Sequence, residues 1–225
     1  MDDKKDTSLL AEEERIPREK DPAAIARMMN VQACRLDSDD DRWHVLCAAL
    51  STATWRGLTM IKNHFDMRRY FEILRTLRPE VIVETGIQSG ASAAFFMDCC
   101  EILGLRDTLY VGVDLSFAGV PEFVMDFPHP HVFVQRDCLA PETVAKVAEL
   151  VAGKPRALFV LDSVHSEVHV TEELRLYAPL VPAGSVLVVE DSDHSGHPVL
   201  ADYGPSAWHA LETFMAEGGP GRVLG

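Results

Sequence analysis

The residues best suited to chemistry in this sequence are acids that follow short apolar runs. Asp162 comes directly after the run at 157–161, and Glu190 and Asp191 come directly after the run at 185–189. If these runs are neighbouring parallel strands, the three carboxylates converge at one edge of a sheet. Three hard oxygen ligands and added water suit Mg²⁺ in an octahedral site. The alternative interpretation is that Asp191 only caps the turn that follows it.

Two histidines stand close to these acids in the sequence. His165 lies three residues after Asp162, and a side chain with a pKa near 6.5 could take a proton from a hydroxyl at neutral pH. The alternative is that His165 caps a helix or supports a ligand. His194 lies three residues after Asp191. We interpret it as a residue that shapes the substrate pocket and as the next candidate for the base.

A glycine-containing loop follows the apolar run at 81–84. It reads Glu84-Thr85-Gly86-Ile87-Gln88-Ser89-Gly90-Ala91-Ser92. It has neither the glycine spacing of a dinucleotide fingerprint nor the lysine of a P-loop. Asp114 and Asp137 end later runs, where Asp114 would accept from both ribose hydroxyls and Asp137 would face the base. The loop resembles that of class I S-adenosylmethionine methyltransferases and predicts a neutral or cationic nucleoside ligand.

Strands and helices must alternate to position these residues, and from Val81 onward the sequence has that pattern. The strands are continuous apolar runs, which is typical of strands buried on both faces. The predicted strands are 81–84, 109–113, 132–135, 157–161 and 185–189, and the predicted helices are 90–103, 141–152, 167–176 and 206–216. This order predicts an α/β fold with a mostly parallel sheet and helices on both faces. Ligands of such folds bind beyond the carboxyl ends of the strands.

The composition limits the partners and the compartment. The 225 residues include 21 Lys and Arg against 35 Asp and Glu, and a formal net charge of −14 disfavours nucleic acid and anionic membranes. The five cysteines are odd in number and lack a Cys-x-x-Cys spacing. This argues against a disulfide framework or a structural zinc site. With no signal peptide and no apolar run of membrane-spanning length, we expect a cytoplasmic protein without membrane or nucleic-acid partners.

The first 60 residues differ in character from the rest. Residues 1–21 are polar and charge-dense, and we expect them to be disordered or loosely docked. The stretch at 22–36 has a helical stripe, and we predict that the segment up to residue 60 forms an N-terminal helical lid over the pocket. Residues 61–225 are predicted to form the S-adenosylmethionine-binding domain.

The block from Trp55 to Gly204 resembles the cephalosporin hydroxylase and rhamnosyl O-methyltransferase family. The matching stretches are Trp55-Arg56-Gly57 with Lys62 and Asp66, Val83 to Ser92, Gly112-Val113-Asp114, Leu161 to Ser166, Tyr177 to Val181, and Val189-Glu190-Asp191. The resemblance implies a Rossmann-like methyltransferase fold that binds S-adenosylmethionine and a divalent cation. Val164 departs from the family, which usually has a polar residue there. The fold normally continues into two more strands, so we expect a C-terminal strand hairpin that is missing or truncated after Gly225.

The resemblance and the residue pattern together give a candidate site. The expected metal ligands are Asp162, Glu190 and Asp191, and the expected catalytic residues are His165, Asp191 and His194. The expected cofactor contacts are Lys62, Glu84, Gly86, Gln88, Ser89, Gly90, Ser92, Asp114, Asp137 and Asp162. Lys62 could touch the amino-acid end of the cofactor, as the resemblance suggests, or form an ordinary ion pair.

We therefore expect an S-adenosylmethionine- and Mg²⁺-dependent O-methyltransferase. The small-molecule substrate would be a secondary metabolite, such as a deoxysugar, a glycosylated natural product or a nucleotide sugar, and the enzyme a homo-oligomer. One alternative is a hydroxylase, because part of the family is named for that activity, but iron would favour two histidines and one carboxylate. The other is a cofactor-binding partner subunit without catalysis. The retention of every acid argues against that alternative.

Overall fold

Strands and helices alternate along the part of the chain that the structure, a computed structural model, describes: residues 52–197 and 202–219. In chain order the elements are β1 (Thr52–Trp55), β2 (Leu58–Ile61), α1 (His64–Leu77), β3 (Val81–Thr85), α2 (Ala91–Ile102), β4 (Leu109–Asp114), α3 (Glu122–Met125), β5 (His131–Gln135), α4 (Pro141–Val151), β6 (Ala157–Leu161), α5 (Glu167–Tyr177), a 3₁₀ turn (Ala178–Leu180), β7 (Val186–Val189) and α6 (Ala207–Ala216). Each predicted strand and helix from residue 81 onward is present, with ends that differ by at most one residue.

Five parallel strands form the central sheet, in the order β5-β4-β3-β6-β7. β3 lies in the middle, with Thr85 opposite Val113 on one side and Leu161 on the other. The chain winds outward from β3 to β5 and then returns to add β6 and β7 on the far side. This reversal places a switch point at the carboxyl ends of β3, β4 and β6, where ligands of open α/β sheets bind. The predicted α/β fold is confirmed.

Alternate strand residues face two separate cores, which explains why the strands read as continuous apolar runs. Ile82 and Leu158 pack with residues of α1 and α2 on one face. Val83 and Phe159 pack with residues of α4, α5 and α6 on the other face. Side chains of successive strand residues point to opposite faces, so a strand covered on both sides must be apolar at every position.

The prediction of a helical lid is wrong for residues 52–60, because these residues belong to an antiparallel hairpin of β1 and β2. Arg56 and Gly57 form the turn, with φ of 49° and 82°. Two central residues with positive φ are the signature of a type I′ turn, whose twist matches that of the paired strands. The indole nitrogen of Trp55 donates to Asp98 of α2 at 2.8 Å and ties the hairpin to the domain.

The remainder of the predicted lid, residues 1–51 with the helix at 22–36, lies outside the described residues. The domain boundary at residue 60 stays a prediction, as does the C-terminal hairpin that we expected to be missing. None of the helices in the described residues has the length and apolar character that crossing a bilayer requires.

Gly86 fits the glycine loop against the sheet itself. Its N–H donates to the Val113 carbonyl at 2.8 Å, and the Asp162 N–H donates to the Thr85 carbonyl at 3.0 Å. The φ of Gly86 is +79°, and a Cβ placed there would lie 2.0 Å from the Asp162 carbonyl oxygen. Glycine in such a loop lets the backbone come close to a ligand. The structure adds a second reason, because the neighbouring loop already fills the space.

We expect Gly86→Ala to destabilise the protein more than a matched glycine substitution. A left-handed backbone costs alanine about 1–3 kcal/mol, and the overlap with Asp162 adds to that cost. Gly153 is the control, because its φ is +75° and nothing lies within 4 Å of its added Cβ. Urea unfolding of Gly86→Ala and Gly153→Ala measures the difference. Equal losses of stability would show that the neighbouring loop gives way to the methyl group.

Candidate active site

A buried cation holds together two of the predicted acids. The Lys62 ammonium, between β2 and α1, lies 2.6 Å from an Asp162 oxygen and 2.8 Å from a Glu190 oxygen. Its side chain is only 3% exposed, and Tyr70 donates a second hydrogen bond to the same Glu190 oxygen. Burial by itself lowers a lysine pKa, but here Asp162, Glu190 and Glu84 outweigh burial and raise the pKa of Lys62 well above its ordinary value. Lys62 is therefore charged.

A second pairing involves the predicted catalytic residues at the end of β7. His165 Nε2 lies 3.1 Å from one Asp191 oxygen, and His194 Nε2 lies 3.9 Å from the other. Burial raises the pKa of Asp191, but His165, His194 and Lys62 outweigh it and leave that pKa below its ordinary value. Asp191 is thus an ionised carboxylate. Its φ of 54° lies in the left-handed region, which aspartate tolerates better than most residues and which is often found at functional sites.

The predicted metal ligands do not all come together in the structure. Ligand atoms of Asp162, His165 and Asp191 lie within 4.8 Å of one another, so this group could hold a metal ion. The Glu190 side chain instead meets Lys62 and Tyr70. The loop after β7 adds a further group of candidate ligands, formed by Asp191, Asp193 and His194.

Acids crowd this edge of the sheet beyond what Lys62 can neutralise. The pKa of Asp66 is raised to about 6. Burial is the largest cause, and the charges of Glu190 and Asp191 contribute to the same rise. The pKa of Asp193 also rises to about 6, through burial and then the charge of Asp191. Burial, Glu190 and Asp191 likewise raise the pKa of Asp162, against the opposing charge of Lys62. Such carboxylates attract a further cation, and hard oxygen donors fit Mg²⁺.

Asp114, the predicted ribose acceptor, holds the glycine loop in place. One of its oxygens accepts from the N–H groups of Ile87 and Gln88, at 2.8 and 3.0 Å. The other accepts from the Ser116 N–H at 3.1 Å. The loop carries its own strain, because Gln88 has a φ of 43°. Asp114 therefore shapes the proposed cofactor loop.

A cavity of about 320 Å³ lies between the glycine loop and the hairpin. It is lined by Thr59, Ile61, Gln88, Ser89 and Gly119. The Ser89 hydroxyl donates to the Thr59 carbonyl at 2.9 Å, which joins the loop to β2. The loop and the hairpin therefore form one continuous wall of this cavity.

The other predicted cofactor contacts lie at the two ends of the loop, in β3 and at the start of α2. Glu84 is fully buried in β3 and accepts from the Tyr110 hydroxyl. Ser92 is buried in the first turn of α2. Gly90 is the N-cap of α2, and a Cβ added there would lie 2.8 Å from a methyl carbon of Val120. These contacts remain predictions.

Asp137 lies on the exposed rim that follows β5. Its oxygen accepts from the Leu139 N–H at 2.9 Å, which shapes the turn into α4. The structure thus gives Asp137 a local role beside the predicted contact with the base, which stays a prediction.

One member of the site was not selected from the sequence. Tyr70 follows Asp66 by four residues and thus shares its face of α1. Asp66, which was named as part of the family resemblance, lies in the first turn of α1. Lys62 forms ion pairs, as one of its two predicted roles required. Its partners are Asp162 and Glu190, which lie 100 and 128 residues away in the chain.

Comparison with known proteins identifies relatives across most of the chain. Residues 47–218 match the family model described as rhamnosyl O-methyltransferase/CmcI. A rhamnosyl O-methyltransferase of Mycobacterium leprae (strain TN) is 33% identical over 178 residues, which cover 78% of this chain and 76% of the relative. One of Mycobacterium bovis (strain BCG / Pasteur 1173P2) is 33% identical over 177 residues, which cover 78% and 71%.

Solved structures with the same fold include two of CmcI. The apo-structure has a TM-score of 0.56 and 25% identity, and the match covers 73% of this chain and 66% of that chain, just under two thirds. A structure of CmcI with Mg and SAM has a TM-score of 0.55 and 23% identity, and covers 73% and 67%. The latter supports the fold alone.

We expect Lys62→Met to destabilise the protein by about 3–5 kcal/mol, because it leaves two buried carboxylates without their counter-charge. Lys146→Met is the matched control, since Lys146 forms a 3.0 Å pair with Glu149 between exposed side chains. That surface pair should contribute less than about 1 kcal/mol. Chemical denaturation of both variants compares the losses. A loss for Lys62→Met as small as that of the control would contradict a structural role for the buried pair.

Proposed function

The chain belongs to the rhamnosyl O-methyltransferase/CmcI family, and on that basis we propose that it is an S-adenosylmethionine-dependent O-methyltransferase that uses Mg²⁺. We propose a hydroxyl of a small sugar-containing metabolite as the methyl acceptor. The observation that carries this proposal is the position of the glycine loop beside the group of Asp162, His165 and Asp191, at one end of the parallel sheet. A methyl donor and a polar acceptor could therefore meet there.

The proposed cofactor site is the glycine loop and its surroundings. Asp114 fixes the loop backbone at Ile87 and Gln88, so the loop is already shaped before a ligand binds. A preformed loop reduces the entropy that binding would otherwise cost. The acidic surroundings also favour a sulfonium cation over an anionic dinucleotide. These features support S-adenosylmethionine rather than NAD.

The proposed metal site fits the residues present. Asp162 and Asp191 are the oxygen donors that would hold Mg²⁺, with His165 beside them. When bound, Mg²⁺ would supply positive charge that lowers the pKa of the acceptor hydroxyl. Glu190 supports the site indirectly, because Lys62 and Tyr70 hold its carboxylate in place.

The proposed roles of the protein side chains follow from their contacts. When bound, S-adenosylmethionine would supply the methyl group: the acceptor oxygen would form a bond to the methyl carbon as the sulfonium–methyl bond breaks, which would leave S-adenosylhomocysteine. His165 takes the hydroxyl proton at Nδ1, while its Nε2 donates to Asp191 and so keeps the ring oriented. Much of the acceleration of an in-line transfer comes from holding the two reactants in line. The fixed loop and the paired acids provide that positioning.

Aromatic rings near the metal group support an acceptor with a ring. His194 stacks on Tyr203 at a centroid distance of 5.0 Å, and His197 stacks on Trp208 at 4.8 Å. Tyr203 and Trp208 are 39% and 40% exposed, so their faces can meet a ligand. Apolar ring faces with a few polar groups are typical of small-molecule sites. The names of the curated relatives favour a rhamnosyl acceptor.

The hydroxylase alternative has less support from the site. A non-haem iron centre favours two histidines and one carboxylate. Among the described residues, the group nearest the glycine loop has two carboxylates and one histidine, namely Asp162, Asp191 and His165. Carboxylate-rich sites favour a hard cation such as Mg²⁺.

We expect methyl transfer to a panel of rhamnosyl acceptors to require Mg²⁺. Chelation with EDTA should abolish turnover, and added Mg²⁺ should restore it. Asp191→Asn should lower turnover far more than it lowers the affinity for S-adenosylhomocysteine, because Asp191 acts on the acceptor side. Asp107→Asn, on the exposed loop before β4 and at the opposite end of the sheet, is the control and should behave as the wild type. Full turnover by metal-free enzyme would rule out the metal-dependent proposal, and tight binding of NAD instead of S-adenosylhomocysteine would rule out the cofactor.

We expect His165→Ala to lower kcat by about 10²–10⁴-fold, the usual contribution of a general base. The wild-type pH–rate profile should rise with an apparent pKa in the histidine range, roughly 6–7, and the variant should lose that rise. Calorimetry with S-adenosylhomocysteine should give the same affinity for both proteins. A variant that keeps the rising limb would remove His165 from proton transfer and make His194 the residue to substitute next.

A further inference from the structure

A third group of side chains that could hold a metal ion consists of Cys138, His169 and Glu173. Cys138 follows β5, and His169 and Glu173 lie on α5. The Cys138 sulfur is 3.5 Å from His169 Nε2, which in turn is 3.8 Å from a Glu173 oxygen. The Ser163 hydroxyl adds a contact to the same nitrogen at 2.9 Å. Ligand atoms of the cysteine, the histidine and the glutamate all lie within 4.8 Å of one another.

Glu173 is the unusual member of this group. Its side chain is only 1% exposed, and among the described residues its carboxylate receives no hydrogen bond from an N–H or O–H group, only a contact from the Cys138 thiol, which is a weak donor. Its polar neighbours are His169 and the Cys138 thiol. A carboxylate buried without strong hydrogen bonds or a full counter-charge carries a large desolvation cost. A cation bound among the three side chains would remove that cost.

We propose that Cys138, His169 and Glu173 bind a zinc ion. Sulfur, imidazole nitrogen and carboxylate oxygen are the donors that zinc uses in proteins. Ligands at zinc distances in a tetrahedral site lie roughly 3.3–3.6 Å apart. The 3.5 Å between sulfur and nitrogen matches this spacing, and the 3.8 Å between that nitrogen and the nearer Glu173 oxygen is slightly longer. Water or the Ser163 hydroxyl would complete the coordination. The mixed donor set favours zinc over Mg²⁺, which prefers oxygen ligands.

The protein already holds these ligands in position. The Tyr177 hydroxyl donates to the Cys138 carbonyl at 2.7 Å, which fixes the backbone of the cysteine. His169 and Glu173 are four residues apart on α5, so they share one face of the helix. Cys138 is only 6% exposed, too buried to act as a nucleophile on a substrate.

The proposed zinc would act on structure. It would join the loop after β5 to α5, and Ser163 in this group directly follows Asp162 in the chain. The short loop that contains Asp162 and His165 would therefore be held from its far side. The sequence analysis argued against structural zinc because no Cys-x-x-Cys was found. Here the ligands come from separate segments, which that spacing test does not detect.

Cobalt substitution tests the proposal directly. The full chain is stripped with a chelator and titrated with Co²⁺, and a cobalt–thiolate bond is recognised by its charge-transfer absorption in the near ultraviolet. We expect one equivalent of Co²⁺ with this band, and one zinc per chain by metal analysis of the protein as purified. Cys138→Ser should lose the band. Cys99→Ser and Asp191→Asn should keep it, because Cys99 is a buried cysteine of α2 and Asp191 belongs to the other metal group.

Two further variants keep the test decisive if Cys138→Ser does not fold by circular dichroism. His169→Gln and Glu173→Gln should each weaken Co²⁺ binding by at least about tenfold, as the loss of metal-site partners typically does. Absence of the thiolate band in the wild type, its persistence in Cys138→Ser, or unchanged affinity in both glutamine variants would overturn the proposal. None of these measurements depends on methyl transfer, so the outcome is independent of the proposed function.

Discussion

The buried ion pairs of Lys62 are the interaction on which the site depends. A single ammonium joins the segment after the hairpin to the ends of β6 and β7, through Asp162 and Glu190. Without it, two carboxylates would repel each other in a poorly solvated place, and the strand ends could not approach as they do. Because Lys62 neutralises Asp162 and Glu190 from behind, Asp191 is left to meet the histidines. One cation thus sets the direction in which each acid points.

The same excess of negative charge explains what this end of the sheet can bind. Asp66 and Asp193 both have a pKa raised to about 6, because burial and neighbouring acids penalise their charged forms. A site with this electrostatic character attracts cations and repels phosphates. Both proposed ligands, a sulfonium compound and Mg²⁺, are cationic. The net charge of the whole chain, −14, points the same way.

Much of the fold could be predicted from the sequence because its signals are local. Apolar runs such as 157–161 mark buried strands, and proline at position 141 marks the start of a helix. The acids at the strand ends could also be placed, because Asp114 and Asp162 directly follow apolar runs in the sequence. The hairpin at 52–61 was missed, although Arg56-Gly57 is compatible with a tight turn, because the surrounding residues were read as part of a helical lid. Tryptophan and threonine there fit a strand equally well.

From residue 81 onward, the order of strands and helices, the parallel sheet and the gathering of acids at its carboxyl edge could all be predicted from the residues alone. Which side chains pair with one another follows from the folded chain. Lys62 meets residues 100 and 128 positions away, and Cys138 meets His169 across 31. Periodicity and capping act over a few residues, so they fix elements and not partners. Partner choice depends on how helices pack on the two faces of the sheet, where burial makes each unpaired charge costly. That cost arises only when the chain folds and removes these groups from water.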